Sequence, residues 1–179
     1  VIDAVSKINT GAKYDSNVFQ KSVGLNGVGT KAVNALSSSF IVKSYREGKV
    51  KQVAFSKGNV VNDYKEVATT EANGTEIFFT PDDTVFKHYK YIEEYIENQL
   101  WNYCYLNAGL VIHFNRKRYV SKNGLLDLLE RKTNPDEIRY PIIHLKGKDV
   151  ELSLTHSNDY GEEIYSFVNG QHTTQGGTH

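Results

Sequence analysis

The sequence predicts an α+β fold in which antiparallel strands pack against a small number of helices. Two observations carry this prediction. Two segments rich in β-branched and aromatic residues, 40–45 and 50–55, flank Arg46-Glu47-Gly48-Lys49, which is typical of an antiparallel hairpin. Between His88 and Leu106, apolar residues recur at steps of three or four, the pattern of an amphipathic helix that lies across a sheet.

The remaining elements follow in order along the chain. Further helices are predicted at 2–8, 28–37 and 125–129, and further strands at 76–80, 110–114, 142–145, 150–156 and 163–168. The polar stretches 12–22 and 56–73 have no period and receive no helix or strand. The run from Arg131 to Asp136 contains Pro135 and predicts a linker, so we expect one domain over 1–134 and a second over 135–179.

Composition limits the classes of function. Lys and Arg number 21, as do Asp and Glu, so no overall charge attracts the chain to DNA or to an acidic membrane. The single Cys104 cannot form an internal disulfide, and no apolar run approaches the roughly 20 residues that span a bilayer. A soluble, cytoplasmic protein is expected. The lack of Met and the ending Gly-Gly-Thr-His further suggest a fragment with both natural ends missing.

The segment Gly24-Leu25-Asn26-Gly27-Val28-Gly29 precedes a predicted helix. Backbone N–H groups and the positive end of a helix dipole converge there without side chains in the way, which favours a phosphate site. The spacing differs from both the dinucleotide fingerprint and the P-loop. A tight turn with close helix packing is the alternative interpretation.

Several motifs around the glycine segment and after it bear on its interpretation. The stretches 9–15, 24–29 and 32–37 together resemble the ATP-lid region of the B subunits of bacterial type IIA DNA topoisomerases (gyrase and topoisomerase IV), members of the GHKL ATPase superfamily. Later segments resemble the same family in the correct order: Tyr45 to Lys49, Gly74-Thr75, Tyr105 to Leu110, Asn158-Asp159-Tyr160, Ile164 to Asn169 and Gly176 to His179.

The resemblance implies a fold and a function. The fold would be the C-terminal half of a GHKL ATPase sandwich followed by the beginning of a ribosomal-protein-like transducer domain. The parent protein would bind and hydrolyse ATP with Mg²⁺ to drive DNA strand passage, with DNA, the topoisomerase A subunit and a second B subunit as partners. The family's catalytic Glu, Mg²⁺-binding Asn and adenine-reading Asp would precede Val1. We therefore expect no catalytic residue or metal ligand in this chain, no ATPase activity in isolation, and weak or no ATP binding.

The resemblance also assigns phosphate-binding residues. Lys13 would bring a positive charge to the β- and γ-phosphates, which backbone amides would surround. The residues that supply these amides would be Leu25, Asn26, Gly27, Val28 and Gly29. For Lys13 the alternative is a solvated surface cation.

Three further residues would line the nucleotide pocket. Thr75 would join the hydrogen-bond network at the adenine edge, and Ile77 would line the pocket from the same strand face. Arg46 matches the arginine at the pocket mouth, where coumarin-type inhibitors bind the family. An ordinary strand threonine, a core isoleucine and a solvated cation are the respective alternatives.

Competing functions stay open at the level of sequence. A non-catalytic binding or scaffold protein with a degenerate GHKL fold is one, and a mismatch-repair or chaperone ATPase is another. The basic residues of the 40–55 hairpin and of 116–118 are interpreted as solvated strand edges rather than DNA grooves. His156, His172 and His179 lack ligands at metal-binding spacing.

Overall fold

A computed structural model of the chain describes residues 1–8, 10 and 27–173. The helices are α1 (Ile2–Ser6), α2 (Gly29–Ala35), α3 (Glu93–Leu106) and α4 (Leu125–Lys132). The strands are β1 (Ser37–Arg46), β2 (Lys49–Ser56), β3 (Asn59–Asp63), β4 (Val67–Ala68), β5 (Gly74–Pro81), β6 (Val111–Phe114), β7 (Lys117–Val120), β8 (Ile143–Lys146), β9 (Glu151–Leu154), β10 (Ser166–Val168) and β11 (Gln171–Thr173). This content confirms the predicted α+β class.

Two compact units make up the chain, residues 1–90 (unit 1) and residues 91–179 (unit 2). The linker and domain boundary predicted near 133–140 fall within unit 2 and stay a prediction. Within the described ranges, no helix has the length and apolar character needed to cross a membrane.

Unit 1 is built on a five-stranded antiparallel sheet. The strands lie in the order β3-β2-β1-β5, and β4 pairs with β2 beside β3. The predicted hairpin is confirmed as β1 and β2. Its two turn residues, Glu47 and Gly48, have φ angles of 52° and 74°, as the right-handed twist of a two-residue hairpin requires.

Strand β3 lies in the stretch 56–73, where the sequence predicted no strand. A second two-residue turn, Lys57-Gly58, has φ angles of 51° and 80° and returns the chain antiparallel to β2. All five residues of β3 are exposed. A strand without a buried face shows no alternation of apolar and polar residues, which explains the missed prediction.

One face of the sheet, which we call the inner face, forms the core of unit 1. Phe40, Val42, Val53 and Phe55 are between 0% and 2% exposed, and Val5 of α1 packs on them. The rings of Phe40 and Phe55 meet edge to face with centroids 6.0 Å apart. Burial of each such side chain stabilises the fold by about 1.5–3 kcal/mol, so these strands hold α1 against the sheet.

Helix α2 contacts the same sheet, and hydrogen bonds hold its C-terminal end. It contacts β1, β2 and β5. The backbone N–H of Asp82 donates to the carbonyl of Leu36, 2.9 Å away, directly after α2. The side chain of Lys57 reaches Asp82 Oδ2 at 2.7 Å. The ends of α2, β2 and β5 are therefore joined at one point.

In unit 2, α3 packs on the β6–β7 hairpin and on α4. The helix begins at Glu93 rather than at the predicted His88, because His88 has a φ of 57° and Ile92 is extended. Its buried side chains are Cys104 and Tyr105, whereas Tyr103, predicted on the apolar face, is 42% exposed. Ile96 and Leu100 of the predicted face are half-buried, so that face is kept in part, and the full burial lies at Cys104 and Tyr105 near the end of the helix.

Aromatic contacts explain which face of α3 is buried. Trp101 stacks on Tyr105 with ring centroids 5.4 Å apart, and it meets Tyr119 of β7 edge to face at 5.3 Å. The guanidinium of Arg131 on α4 lies 4.3 Å from the Trp101 ring centroid. Such stacking and cation–π contacts depend on ring geometry, which the helical period does not encode.

The other hairpins of unit 2 follow the predicted strands, with β8 shifted by one residue and β9 and β10 shorter than predicted. Strand β8 pairs with β9, and β10 pairs with β11. Strand β7 and strand β11 received no prediction. Asn169-Gly170, between β10 and β11, has φ angles of 49° and 87°. An Asn-Gly pair is a strong hairpin signal, so β11 was detectable from the sequence.

Candidate functional site

The glycine segment enters α2, and its described part is Gly27, Val28 and Gly29. Lys13, Leu25 and Asn26 lie outside the described residues. Gly27 has a φ of 57°, and a Cβ atom there would lie 2.8 Å from the carbonyl oxygen of Thr10 and 3.1 Å from Nζ of Lys31. Both the conformation and the space therefore require glycine at position 27. Around Gly29 no atom lies within 4 Å of such a Cβ.

Lys31 is the functional candidate that the sequence analysis missed. This side chain is nearly buried, with 6% of the residue exposed, and Nζ donates to the carbonyl of Thr10 at 2.8 Å. An ammonium has three N–H donors, so Lys31 retains capacity for a second acceptor. A lysine in the first turn of a helix opposes the helix dipole, and that placement was the available signal.

Asn34 lies one turn further along α2. It is 0% exposed, and Nδ2 donates to the carbonyl of Val5 at 3.0 Å. The hydroxyl of Thr10 lies 2.8 Å from the carbonyl oxygen of Asp3. Side chains of α2 thus reach both α1 and Thr10, four residues beyond the end of α1.

Thr75 and Ile77 lie on β5 and face the same side of the sheet as the core. Thr75 is paired with Ser44, and Ile77 with the buried Val42. Residues directly opposite each other in an antiparallel pair share a face, so both side chains are on the inner face. Ile77 is nevertheless 43% exposed, which argues against its alternative interpretation as a core isoleucine.

Arg46 ends β1 at the tip of the hairpin. It stands two residues beyond Ser44, so strand alternation places it on the inner face beside Thr75. Its side chain is 81% exposed and lies 3.3 Å from the Glu47 carboxylate. The sheet therefore carries Arg46, Thr75 and Ile77 on its inner face, the face on which Val5 of α1 packs.

The opposite face of the sheet has a separate polar network. Lys43 Nζ lies 2.9 Å from Glu76 Oε2, and the hydroxyl of Tyr45 donates to the same oxygen at 3.1 Å. The hydrogen bond from Lys43, aided by that from Tyr45, lowers the pKa of the Glu76 carboxyl against the opposing effect of burial. Glu76 and Lys43 therefore neutralise each other.

Five basic residues on and beside the β1–β2 hairpin lie next to carboxylates, as expected for solvated strand edges. The pairs are Lys43 with Glu76 at 2.9 Å, Arg46 with Glu47 at 3.3 Å, Lys49 with Glu66 at 3.2 Å, Lys57 with Asp82 at 2.7 Å, and Lys51 with Asp63. Exposed pairs of this kind contribute at most about 1 kcal/mol each. Their paired charges give this hairpin little attraction for a nucleic-acid backbone.

Gly27 and the start of α2 offer hydrogen-bond donors to an anion. The side that a Cβ would occupy at Gly27 is closed by the carbonyl oxygen of Thr10 and by the Lys31 ammonium, which donates to that oxygen. The first N–H groups of α2 have no partner within the helix. In the described ranges, no three His, Cys, Asp or Glu side chains are grouped to hold a metal ion.

No protein-family model matches the sequence. The whole chain aligns with the topoisomerase IV B subunit of Borreliella burgdorferi at 48% identity over 179 residues, which are 30% of that protein. The DNA gyrase B subunit of Eisenibacter elegans is 34% identical over 185 residues, covering 92% of the chain and 38% of that relative. The chain is a homologue of type IIA topoisomerase B subunits.

A solved structure supports the same assignment for this B-subunit homologue. The 43K ATPase domain of Thermus thermophilus gyrase B, determined in complex with an aminocoumarin, matches with a TM-score of 0.68 and 28% identity. The match covers 82% of the chain and 43% of that structure. The predicted family and GHKL ATPase fold are confirmed, and the transducer domain stays a prediction. The B-subunit homologue spans less than half the length of these relatives.

Proposed function

We propose that this chain forms part of the ATP site of a type IIA topoisomerase B subunit, namely the part that holds the phosphates. The contact between Gly27, Thr10 and Lys31 carries the proposal, because it places a nearly buried ammonium beside a backbone segment that must lack a side chain. Homology with gyrase and topoisomerase IV B subunits supports a nucleotide as the source of the phosphates.

Each residue has a role in this proposal. Lys31 donates charge-assisted hydrogen bonds to phosphate oxygens, and the amides of Gly27, Val28 and Gly29 donate to the same group. Leu25, Asn26 and Lys13 would complete the phosphate contacts. Thr75 and Ile77 line the base side of the pocket, and Arg46 stands at its mouth.

The activity of the complete subunit is also part of the proposal. ATP would supply the free energy for DNA strand passage, and Mg²⁺ would neutralise phosphate charge during hydrolysis. DNA, the topoisomerase A subunit and a second B subunit would be the partners, and residues 135–179 would begin the transducer domain. The general base would come from sequence that precedes the matching segment in the complete subunit.

A chimaeric subunit tests the proposal. The segment of the B. burgdorferi topoisomerase IV B subunit that aligns with this chain is replaced by the chain, and calorimetric titration with a non-hydrolysable ATP analogue and Mg²⁺ follows. We expect the chimaera to bind the analogue and the 179-residue chain alone to show no ATPase activity. A folded chimaera that fails to bind would favour a non-catalytic scaffold.

The variant Lys31→Met in the chimaera tests the phosphate contact. Loss of a hydrogen bond from a charged donor is expected to weaken analogue binding roughly 10- to 100-fold. Lys146→Met is the matched control, because Lys146 is 70% exposed in unit 2 and pairs with Glu151. Equal affinities of the two variants would remove Lys31 from the site.

A further inference from the structure

Two side chains of α2 tether this helix to the end of α1. Lys31 and Asn34 are three residues apart, so they project from one side of α2. Asn34 Nδ2 donates to Val5 O, and Lys31 Nζ donates to Thr10 O. The hydroxyl of Thr10 also lies 2.6 Å from the carbonyl oxygen of Lys7. One tether therefore ends in α1, and the other ends at Thr10, which hydrogen bonds back to α1 through Asp3 O.

The two tethers differ in charge and in the hydrogen-bond donors that they have to spare. The Lys31 ammonium carries a charge and spare donors, so in the proposed site it turns part of its hydrogen bonding to phosphate. The Asn34 amide is neutral and 0% exposed. Its bond to Val5 O therefore holds α2 against α1 whether or not an anion is bound.

One atom of the Asn34 side chain lowers the stability of the fold, which points to a role for the rest of its amide group. Oδ1 is buried and has no hydrogen-bond partner among the described residues. A buried unpaired acceptor is destabilising, and an apolar side chain of similar size would avoid that cost. What an apolar residue lacks is the Nδ2 donor to Val5 O, whose carbonyl belongs to the last turn of α1 and needs a partner outside the helix.

We infer that Asn34 is a positioning residue for the nucleotide site. Its amide fixes α2 against α1 and so holds the backbone at Gly27 and the ammonium of Lys31 where a phosphate can be bound. Affinity rises because the site is ordered before the ligand arrives. This inference rests on the proposed function.

The variant Asn34→Asp in the chimaeric protein tests the inference. Aspartate has nearly the same shape, but its carboxylate cannot donate to Val5 O, whereas its protonated form can. Burial raises the pKa of a carboxyl group, and the Lys31 ammonium one turn away acts in the opposite direction; at a side chain that is 0% exposed burial dominates, so the donor is regained as the pH falls. We expect analogue binding about tenfold weaker than in the parent chimaera at pH 8, with the ratio narrowing towards roughly pH 5.5.

Asn62→Asp is the matched control for this experiment. Asn62 is exposed on β3, so the same chemical change there should leave the affinity ratio within about twofold at every pH. All affinities are expressed relative to the parent chimaera at the same pH. The effect of nucleotide protonation on affinity therefore cancels in the ratio.

Each outcome has a distinct meaning. A parent chimaera that does not bind overturns the proposed function, and with it the positioning role that rests on that function. A parent that binds, with an Asn34→Asp variant of equal affinity at pH 8, overturns the positioning role. A loss of affinity that stays constant from pH 8 to roughly 5.5 also overturns it, because it indicates general damage without recovery of the donor.

Hydrogen exchange on the 179-residue chain provides a test that needs no nucleotide. In Asn34→Asp at pH 8, the amides of Ser6 and Lys7 should exchange faster than in the parent chain, while those of Val42 and Val53 keep their rates. Unchanged exchange at Ser6 and Lys7 would overturn the tether even if the chimaeric variant failed to fold.

Discussion

Gly27 and Gly29 stand two residues apart and differ in backbone conformation and surroundings. Gly27 has a φ of 57° and faces the carbonyl of Thr10, whereas Gly29 begins α2 with open space around it. A left-handed conformation costs an ordinary residue about 1–2 kcal/mol, and overlap with a backbone oxygen adds to that cost. Alanine should therefore act differently at the two positions.

The first prediction compares Gly27→Ala with Gly29→Ala. Gly27→Ala should lower the free energy of unfolding of unit 1 by about 1–2 kcal/mol or more. Gly29→Ala should leave it unchanged or raise it by up to about 1 kcal/mol, because alanine favours the helix. The unit 1 phase of urea denaturation, followed by far-ultraviolet circular dichroism, measures both changes. Equal effects would show that the backbone at Gly27 is not constrained as described.

At the scale of elements, Asp82 joins the ends of α2, β2 and β5. Its side chain is 6% exposed and receives Lys57 Nζ at 2.7 Å. The backbone N–H and hydroxyl of Thr84 donate to Asp82 Oδ1 at 3.1 Å and 2.9 Å. The hydrogen bond from Lys57, supported by those from Thr84, lowers the pKa of Asp82 although burial alone would raise it.

The second prediction concerns acid. Because the folded pKa of Asp82 lies below the unfolded value of about 3.9, its contribution to stability is present above that pH and is lost as the pH falls through the folded pKa. Thermal unfolding of unit 1 between roughly pH 7 and 2.5 should therefore show a steeper loss below about pH 4 in the parent than in Asp82→Asn.

Asp83→Asn is the control for the acid experiment. Asp83 is the exposed neighbour of Asp82. Its replacement should keep the parent's pH dependence. Parallel curves for the parent and Asp82→Asn would show that the contact with Lys57 does not control acid stability.

Elements with a strong local signal were predictable, and those defined by their neighbours were not. The β1–β2 hairpin followed from its turn and flanking strands, and β5 followed from Gly74 and Pro81 at its ends. The exposed β3 offered no alternation to detect. The burial of Cys104 and Tyr105 at the end of α3 was missed because contacts of Trp101 and Arg131 orient that part of the helix.

At the scale of the whole molecule, each unit contains its own buried residues. Phe40 and Phe55 belong to unit 1, and Cys104, Tyr119 and Leu128 belong to unit 2. Trp101 is the only tryptophan of the sequence and lies in unit 2. Its fluorescence therefore reports the unfolding of unit 2, whereas the far-ultraviolet dichroism reports both units, since the sheet lies in unit 1 and the helices α3 and α4 lie in unit 2.

The third prediction uses these two signals. Phe40→Ala should destabilise unit 1 by about 3–5 kcal/mol, because it leaves a cavity in a fully buried core. The dichroism in urea should show an earlier phase from unit 1, at lower concentration, while the Trp101 transition keeps its midpoint. Phe78→Ala, at a residue that is 51% exposed on the same sheet, should change stability by less than about 1 kcal/mol. A Trp101 transition that shifts equally with Phe40→Ala would show that the units unfold together.

The sequence alone determined the family and the candidate phosphate segment. The glycine run and the ordered motifs are local features, and their chemistry depends on the backbone and on spacing along the chain. Conformational needs such as that of Gly27 are encoded by residue type, because glycine accepts positive φ without strain.

Only the tertiary structure decided which side chains support that segment. Lys31 meets Thr10 across 21 residues, and Asn34 meets Val5 across 29. Neither contact has a local signature, because burial and hydrogen bonding depend on elements that pack together from distant parts of the chain. The same reason places Thr75, Ile77 and Arg46 on one face of the sheet, since pairing with β1 sets that face.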